Sequence, residues 1–160
     1  MPHITIEYVI FVPILILQIF LFPLAASISM NIWINSRREL LLETVANRLA
    51  SSIQQLYFSL NHKSVPAGTV TYDPDVPEYI DNHPYIAEGE LLLLAGSESN
   101  KRLNITLTLI GLDVKVEASA TLGPNVSWDE DSLFLSNSTD AYIQVTKFEN
   151  CSFFFRFGGG

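Results

Sequence analysis

A run of 29 uncharged residues near the N-terminus, from Tyr8 to Ser36, constrains this chain more than any other feature. As an α-helix it exceeds the roughly 20 apolar residues that cross a bilayer core. It is also longer than the apolar region of about 7–15 residues in a secretory signal peptide, and no small-x-small cleavage site follows it promptly. We therefore expect a helix that stays in the mature protein.

A second helical pattern follows the uncharged run, and neither Pro nor Gly separates the two. Apolar residues recur there at steps of three or four, which is typical of one stripe of an amphipathic helix. The stripe consists of Leu42, Val45, Leu49, Ile53, Leu56 and Leu60. The sequence thus predicts one helix from about residue 5 to about residue 61, with its stripe packed on a β-sheet. Pro13 and Pro23 should bend this helix without ending it.

After Ser64 the apolar residues alternate with a period of two, which is typical of β-strands. Seven strands are predicted, at 68–72, 85–95, 102–110, 113–121, 132–135, 141–148 and 152–157. The expected fold class is α+β. A long membrane or filament-core helix (1–61) precedes a C-terminal antiparallel β-sheet or β-sandwich head (62–160).

The charge of the head excludes some functions. From Ser64 to Gly160 there are 14 acidic and 5 basic residues, and phosphate binding needs a basic surface, so no nucleic-acid partner is expected. Cys151 is the only cysteine; it permits no intramolecular disulfide and is predicted to be a small buried residue. The acidic segment 128–132 lacks the spacing of a calcium loop, and no catalytic constellation is recognisable. We expect neither an enzyme nor a cofactor or metal.

The segment HITIEYVIF, residues 3–11, resembles the start of mature archaeal type IV pilins and related adhesion pilins. In that family a polar residue precedes alternating apolar residues, a Glu at mature position five, often a Tyr, and an unbroken apolar helix. His3, Glu7 and Tyr8 would take those places here. The resemblance covers the helix well and the head in outline. It implies an extracellular adhesive homopolymer whose subunit is membrane-inserted before assembly, is processed at His3 by a prepilin peptidase, and uses an assembly platform.

Glu7 needs a polar partner at the edge of an apolar helix. The resemblance implies that a neighbouring subunit's N-terminal amine or polar helix group supplies it and sets the axial register. Alternatively, Glu7 lies at the lipid headgroups or favours the helix dipole. Trp33 is expected either at the membrane interface or between helices. The candidate assembly residues are Glu7, Tyr8, Pro13, Pro23 and Trp33.

The orientation of the chain in a membrane has two conflicting indicators. A prepilin leader normally carries Lys or Arg, whereas Met1 and Pro2 alone precede His3, so either a leader lies upstream or processing differs. Arg37 and Arg38 follow the apolar run, and positive-inside counting then places the head in the cytoplasm. Sequons in the head favour the opposite orientation.

The last four asparagines all lie in Asn-x-Ser/Thr sequons, and the six before them lie in none. N-linked glycans are therefore possible at Asn104, Asn125, Asn137 and Asn150. Asn104 and Asn137 are the strongest candidates, because Asn150 adjoins an aromatic strand. The alternative is that a Ser/Thr-rich sheet produces sequons by accident.

Three functions remain open from the sequence. The first is a structural subunit of a type IV pilus-like filament. The second is a single-span membrane protein with an exposed β binding module. The third is a minor pilin-like component of a secretion or adhesion machine. A simple anchor needs only about 20 apolar residues, so a helix that continues far beyond them favours the filament.

Overall fold

The computed structural model describes the backbone of residues 3–93 and 100–159, and within these ranges the side chains from residue 11 onward. In this part of the chain, one helix precedes eight strands. They are α1 (His3–Leu60), β1 (Gly68–Tyr72), β2 (Tyr85–Leu93), β3 (Lys101–Leu109), β4 (Lys115–Leu122), β5 (Val126–Trp128), β6 (Leu133–Leu135), β7 (Tyr142–Lys147) and β8 (Phe153–Gly158). The predicted α+β class is confirmed.

The chain divides into two compact units, Met1–Arg37 and Arg38–Gly160. Within the first unit the described residues form α1 alone, and the helix continues through both Pro13 and Pro23. A proline inside a helix removes one backbone hydrogen bond, and α1 continues although it loses one at each of these two positions. The large apolar side chains of this unit from Phe11 to Trp33 are exposed.

In the second unit, the C-terminal part of α1 buries its apolar stripe. Leu42, Leu49 and Ile53 are completely buried, and Leu56 is partly buried. These residues join the same core as the strands. Each fully buried Leu or Ile side chain contributes about 1.5–3 kcal/mol. The prediction that the stripe supplies apolar surface to the head is confirmed.

Two four-stranded sheets form the rest of the head. One has the order β1-β7-β8-β5 and the other β4-β3-β2-β6. All neighbours are antiparallel except β5 and β8, which are parallel. The period-two pattern places Leu103, Ile105 and Leu107 of β3 in the core. The sheets meet where Phe134 of β6 contacts Phe157 of β8, with ring centroids 5.7 Å apart.

Lys147, at the end of β7, closes the C-terminal end of α1. Its side chain is 6% exposed, and its ammonium donates to the carbonyls of Leu60 at 2.7 Å, His62 at 3.0 Å and Val65 at 2.8 Å. The last carbonyls of a helix have no partner within the helix and attract positive charge. Lys147 therefore supplies the donors that the end of α1 lacks.

The structure corrects several expectations. Cys151 is exposed, because it lies in the turn between β7 and β8 with a positive φ of 60°. Strand β5 was not predicted, since it has only three residues and pairs in parallel with the distant β8. The predicted end of β2, at residues 94 and 95, lies outside the described residues. The predicted bounds of β1 match the observed strand, and the remaining predicted strands differ from the observed ones by one or two residues at one or both ends.

Candidate assembly surface and modification sites

The first candidate site is the apolar surface of α1 in the first unit. Fifteen large apolar side chains between Phe11 and Trp33 are exposed, and Ile19, Phe20 and Phe22 reach 68%, 73% and 78%. The helix is long and apolar enough to cross a membrane, by length and composition. Soluble monomers rarely expose an apolar patch of this extent, so this surface is suited to lipid or to other protein. We call the exposed side chains of residues 11–33 the apolar surface.

Pro13 contributes to a shallow groove along one side of the apolar surface. The groove has a volume of about 450 Å³, and Ile16, Phe20 and Leu24 also line it. The side chain of Pro23 is exposed as well. Both prolines thus lie where a covering molecule would touch them.

Trp33 lies at the C-terminal end of the apolar surface. The residue is 57% exposed, and the guanidinium carbon of Arg37 lies 6.0 Å from the centroid of its ring. A cation near a tryptophan face is attracted by the ring quadrupole. An aromatic ring beside a basic group is also typical of the water interface of a membrane helix. Trp33 therefore fits both expectations for it, an interface anchor and an inter-helix contact.

The N-terminal candidates for assembly and processing are described only by their place in the helix. His3, Glu7 and Tyr8 belong to α1, but their side chains lie outside the described part of the structure. The roles of Glu7 in register and of His3 in processing therefore stay predictions.

The four sequons differ in what their asparagine side chains contact. The Asn125 amide donates to the Cys151 carbonyl, and its oxygen accepts a hydrogen bond of 3.3 Å from the Tyr57 hydroxyl. Tyr57 is buried, and this burial raises the pKa of its hydroxyl. Both ends of the Asn125 amide thus tie α1 to the turn between β7 and β8. A sugar on this nitrogen would displace those contacts.

Asn150 has the opposite environment. It is exposed in the same turn, and its side-chain oxygen accepts hydrogen bonds from the Ser152 hydroxyl at 2.6 Å and the Ser152 backbone nitrogen at 3.1 Å. These bonds occupy the oxygen and do not involve the amide nitrogen, which is the atom that a glycan would modify. The neighbouring aromatic strand does not bury Asn150, so the sequence-based reason for ranking it low does not apply.

The remaining two sequons are accessible to different degrees. Asn137 is exposed in the segment that follows β6. Asn104 is half-buried on the outer face of β3, opposite Glu90 of β2 and Ser119 of β4. Its predicted place on the polar face is confirmed. Because β3 is an inner strand, side chains of both neighbouring strands crowd Asn104.

Acidic side chains do not gather into a metal site in the described residues. No group of three or more His, Cys, Asp or Glu residues there has a geometry that could hold an ion. Asp73, Asp75 and Glu78 line a polar cavity of about 360 Å³ together with Ser136. The Ser136 hydroxyl already donates to the Glu78 carbonyl at 2.7 Å and accepts from the Tyr85 nitrogen at 2.9 Å.

The fold and the apolar surface define a class, an α+β protein in which a helix suited to lipid or a helical bundle continues into a β head. Comparisons with family models, with curated proteins and with solved structures find no match for the chain. The functional interpretation therefore depends on the residues and geometry described above.

Proposed function

We propose that this protein is a structural subunit of an extracellular, type IV pilus-like filament that serves in surface attachment. The apolar surface carries the proposal, because a helix apolar on every side cannot remain in water. Before assembly a membrane would cover it, and in the filament copies of the same helix would. The resemblance of residues 3–11 to archaeal pilins supports this choice.

The size of the apolar surface is sufficient for assembly. Burying half of each of its 15 large side chains contributes on the order of 1 kcal/mol per side chain. The total, about 15 kcal/mol, is at the upper end of the roughly 4–15 kcal/mol that association costs. A subunit that touches several neighbours would exceed this cost, so the polymer would be more stable than the free subunit.

A single-span membrane protein with a β binding module is the second candidate. The Trp33–Arg37 pair favours it, because such pairs are typical of membrane interfaces. The length of α1 does not separate the two candidates, since residues 42–60 are accounted for by the core of the head. A minor pilin-like component would differ from a main subunit only in its abundance on the cell surface.

In the filament model, Glu7 sets the axial register of neighbouring helices, and His3 becomes the first residue after a prepilin peptidase removes a leader. An assembly platform then extracts the subunit from the membrane. Glycans on the head would cover the outer face of the fibre. We infer that Asn137 and Asn150 accept them most readily, because both are exposed and neither is tied to α1.

The first experiment is electron microscopy of sheared cell-surface material with N-terminal sequencing of its main protein. The filament model expects fibres whose main protein is this chain. It also expects Glu7→Ala to reduce fibre number while the head stays folded, and Glu39→Ala, an exposed acid on the same helix, to leave fibres unchanged. Lone copies that stay permanently in the bilayer would contradict the proposal and support the second candidate.

Glycan attachment is tested by intact-mass spectrometry of the protein purified from its native cells. Asn150→Gln should remove the mass of one glycan and lower the unfolding temperature less than Asn125→Gln does, because the two hydrogen bonds that it loses lie in an exposed turn. Asn125→Gln should leave the glycan mass unchanged and destabilise the head by about 1–3 kcal/mol, since it disrupts two hydrogen bonds. Loss of a glycan mass in Asn125→Gln would contradict the structural role of this amide.

A further inference from the structure

Strand β1 has an unusual environment for an edge strand. It lies at the end of its sheet, and all five of its residues are exposed. Among the described residues, its backbone ladder runs to β7 alone. Its sequence, Gly-Thr-Val-Thr-Tyr, contains no charge and no proline. Natural edge strands usually carry a charged residue or a proline, because these residues discourage the free edge from pairing with another chain.

The other three sheet edges have the protection that β1 lacks. Strand β4 carries Lys115 and Glu117. Strand β5 has only three residues, and its Val126 carbonyl accepts a hydrogen bond of 2.7 Å from the Lys101 ammonium. Strand β6 also has only three residues, and the exposed Asp131 precedes it closely. Short strands and charges both discourage pairing at an edge, so β1 is the edge in the described structure that is left open.

The side chains of β1 also leave apolar surface uncovered. Val70 and Tyr72 pair with the buried Val145 and Ile143 of β7 and therefore lie on the core side of the sheet. They are nevertheless 39% and 37% exposed. A further strand added beside β1 would cover them and would satisfy the free backbone groups of the edge.

We propose that the open edge of β1 pairs antiparallel with β1 of a second copy of this chain, centred on Val70. The sequence is self-complementary in this register. Val70 meets Val70 of the partner copy, and Thr69 meets Thr71, so β-branched residues face one another on both sides of the sheet. No like charges are opposed, because the strand has no charge.

The ends of the strand fit the same register. Gly68 would lie opposite Tyr72 of the partner copy, and no atom lies within 4 Å of the position where a Gly68 side chain would begin. This open space can accept the tyrosine ring, and an aromatic ring across from an edge glycine stabilises strand pairing. The register also keeps Gly68, Val70 and Tyr72 of both copies on the core side, whereas a shift by one residue would reverse one set.

The symmetry of this contact limits where it can occur. Two identical strands paired antiparallel form a closed two-fold interface, which cannot repeat head to tail along one polar fibre. The pairing would thus join heads of two different filaments or of two separate membrane-bound copies. It depends on β1 alone and is expected whether α1 polymerises or only anchors the protein.

The experiment is disulfide trapping in the full-length protein in detergent, with Cys151→Ser as background. Directly opposed residues of an antiparallel pair have Cα atoms about 4.5–5.5 Å apart, within the range of a disulfide. Val70→Cys should therefore give several-fold more covalent dimer on a non-reducing gel than Ser119→Cys, an exposed site on the charged edge strand β4. Equal yields from the two variants, with both heads folded by circular dichroism, would overturn the proposal.

A mixing experiment tests the register independently. Thr69→Cys and Thr71→Cys chains, one of them carrying a size tag, should form the mixed dimer in preference to either homodimer, since these positions oppose each other only across the proposed two-fold axis. Homodimers of Thr69→Cys that form as readily as those of Val70→Cys would show non-specific collision and would refute the pairing.

Discussion

Replacing Lys147 by methionine should destabilise the head by about 2–3 kcal/mol. Methionine keeps most of the side-chain volume, so little cavity is created. The buried Leu60 carbonyl would lose its donor, at a cost of about 1–3 kcal/mol. The His62 and Val65 carbonyls lie nearer the surface, where water can replace the ammonium, and add about 0.5–1 kcal/mol each. Removal of a buried charge returns part of its desolvation cost, which lowers the sum.

The assay is thermal unfolding of the full-length protein in detergent, followed by near-ultraviolet circular dichroism. For a unit of this size, 1 kcal/mol corresponds to roughly 4 °C, so the midpoint should fall by about 8–12 °C. Lys101→Met is the matched control, because the Lys101 ammonium makes one such bond, to the Val126 carbonyl, and should lower the midpoint by about 4 °C. Lys115→Met, a replacement of an exposed lysine, gives the baseline for the unfolding midpoint.

The outcome that would refute this reasoning is equality between the two variants. If Lys147→Met unfolds at the temperature of Lys101→Met, the carbonyls of Leu60, His62 and Val65 do not depend on the ammonium. A variant more stable than the original would mean that the desolvation cost of the buried lysine exceeds what its hydrogen bonds contribute.

Two further predictions concern the core. Gly89→Ala should destabilise the head by about 1–3 kcal/mol, because the new methyl group would collide with the Trp128 ring. Gly68→Ala is the control and should change stability by less than about 0.5 kcal/mol, because the space around Gly68 is open. Denaturant titration measures the free energy of unfolding of both variants. Burial raises the pKa of Tyr85, whose hydroxyl donates to the Pro77 carbonyl at 2.8 Å. The unfolded chain loses this proton near pH 10 and the folded chain keeps it, so stability should fall by about 1.4 kcal/mol per pH unit above pH 10, and Tyr85→Phe should reduce that slope.

Local periodicity was enough to predict most of the fold. The three-and-four spacing of the stripe and the alternation in β3 each show which face of an element is buried. Such a pattern can be read from neighbouring residues alone. Lys147 follows the same alternation, since it occupies the inward position after Ile143 and Val145. The alternation in β7 therefore indicates that Lys147 is buried, although its charge alone would suggest an exposed residue.

The features that escaped prediction depend on contacts between distant parts of the chain. Strand β5 exists because three residues pair with β8, and Asn125 is structural because Tyr57, 68 residues earlier, contacts it. Cys151 was expected to be buried on hydrophobicity, but its place in a tight turn exposes it. The open edge of β1 was also invisible, because a strand's place in the sheet order cannot be derived from its own residues.

The dependence of the head on α1 leads to the last prediction. Eight residues of α1 belong to the buried core, namely Leu42, Val45, Ala46, Leu49, Ala50, Ile53, Tyr57 and Leu60. At about 1.5–3 kcal/mol for each of the six large side chains, their loss would remove about 9–18 kcal/mol, as much as the roughly 5–15 kcal/mol that usually stabilises a domain. A fragment of residues 36–160 should therefore unfold cooperatively, and one of residues 62–160 should not fold.

The same two fragments separate folding from assembly. The 36–160 fragment lacks the apolar surface, so it should form no fibres and remain a monomer or a dimer paired through β1. Sedimentation and electron microscopy distinguish these states, and calorimetry tests cooperative unfolding. Fibres from this fragment would show that assembly does not depend on residues 11–33. Cooperative unfolding of the 62–160 fragment would show that the stripe is dispensable, and α1 would then serve the apolar surface alone.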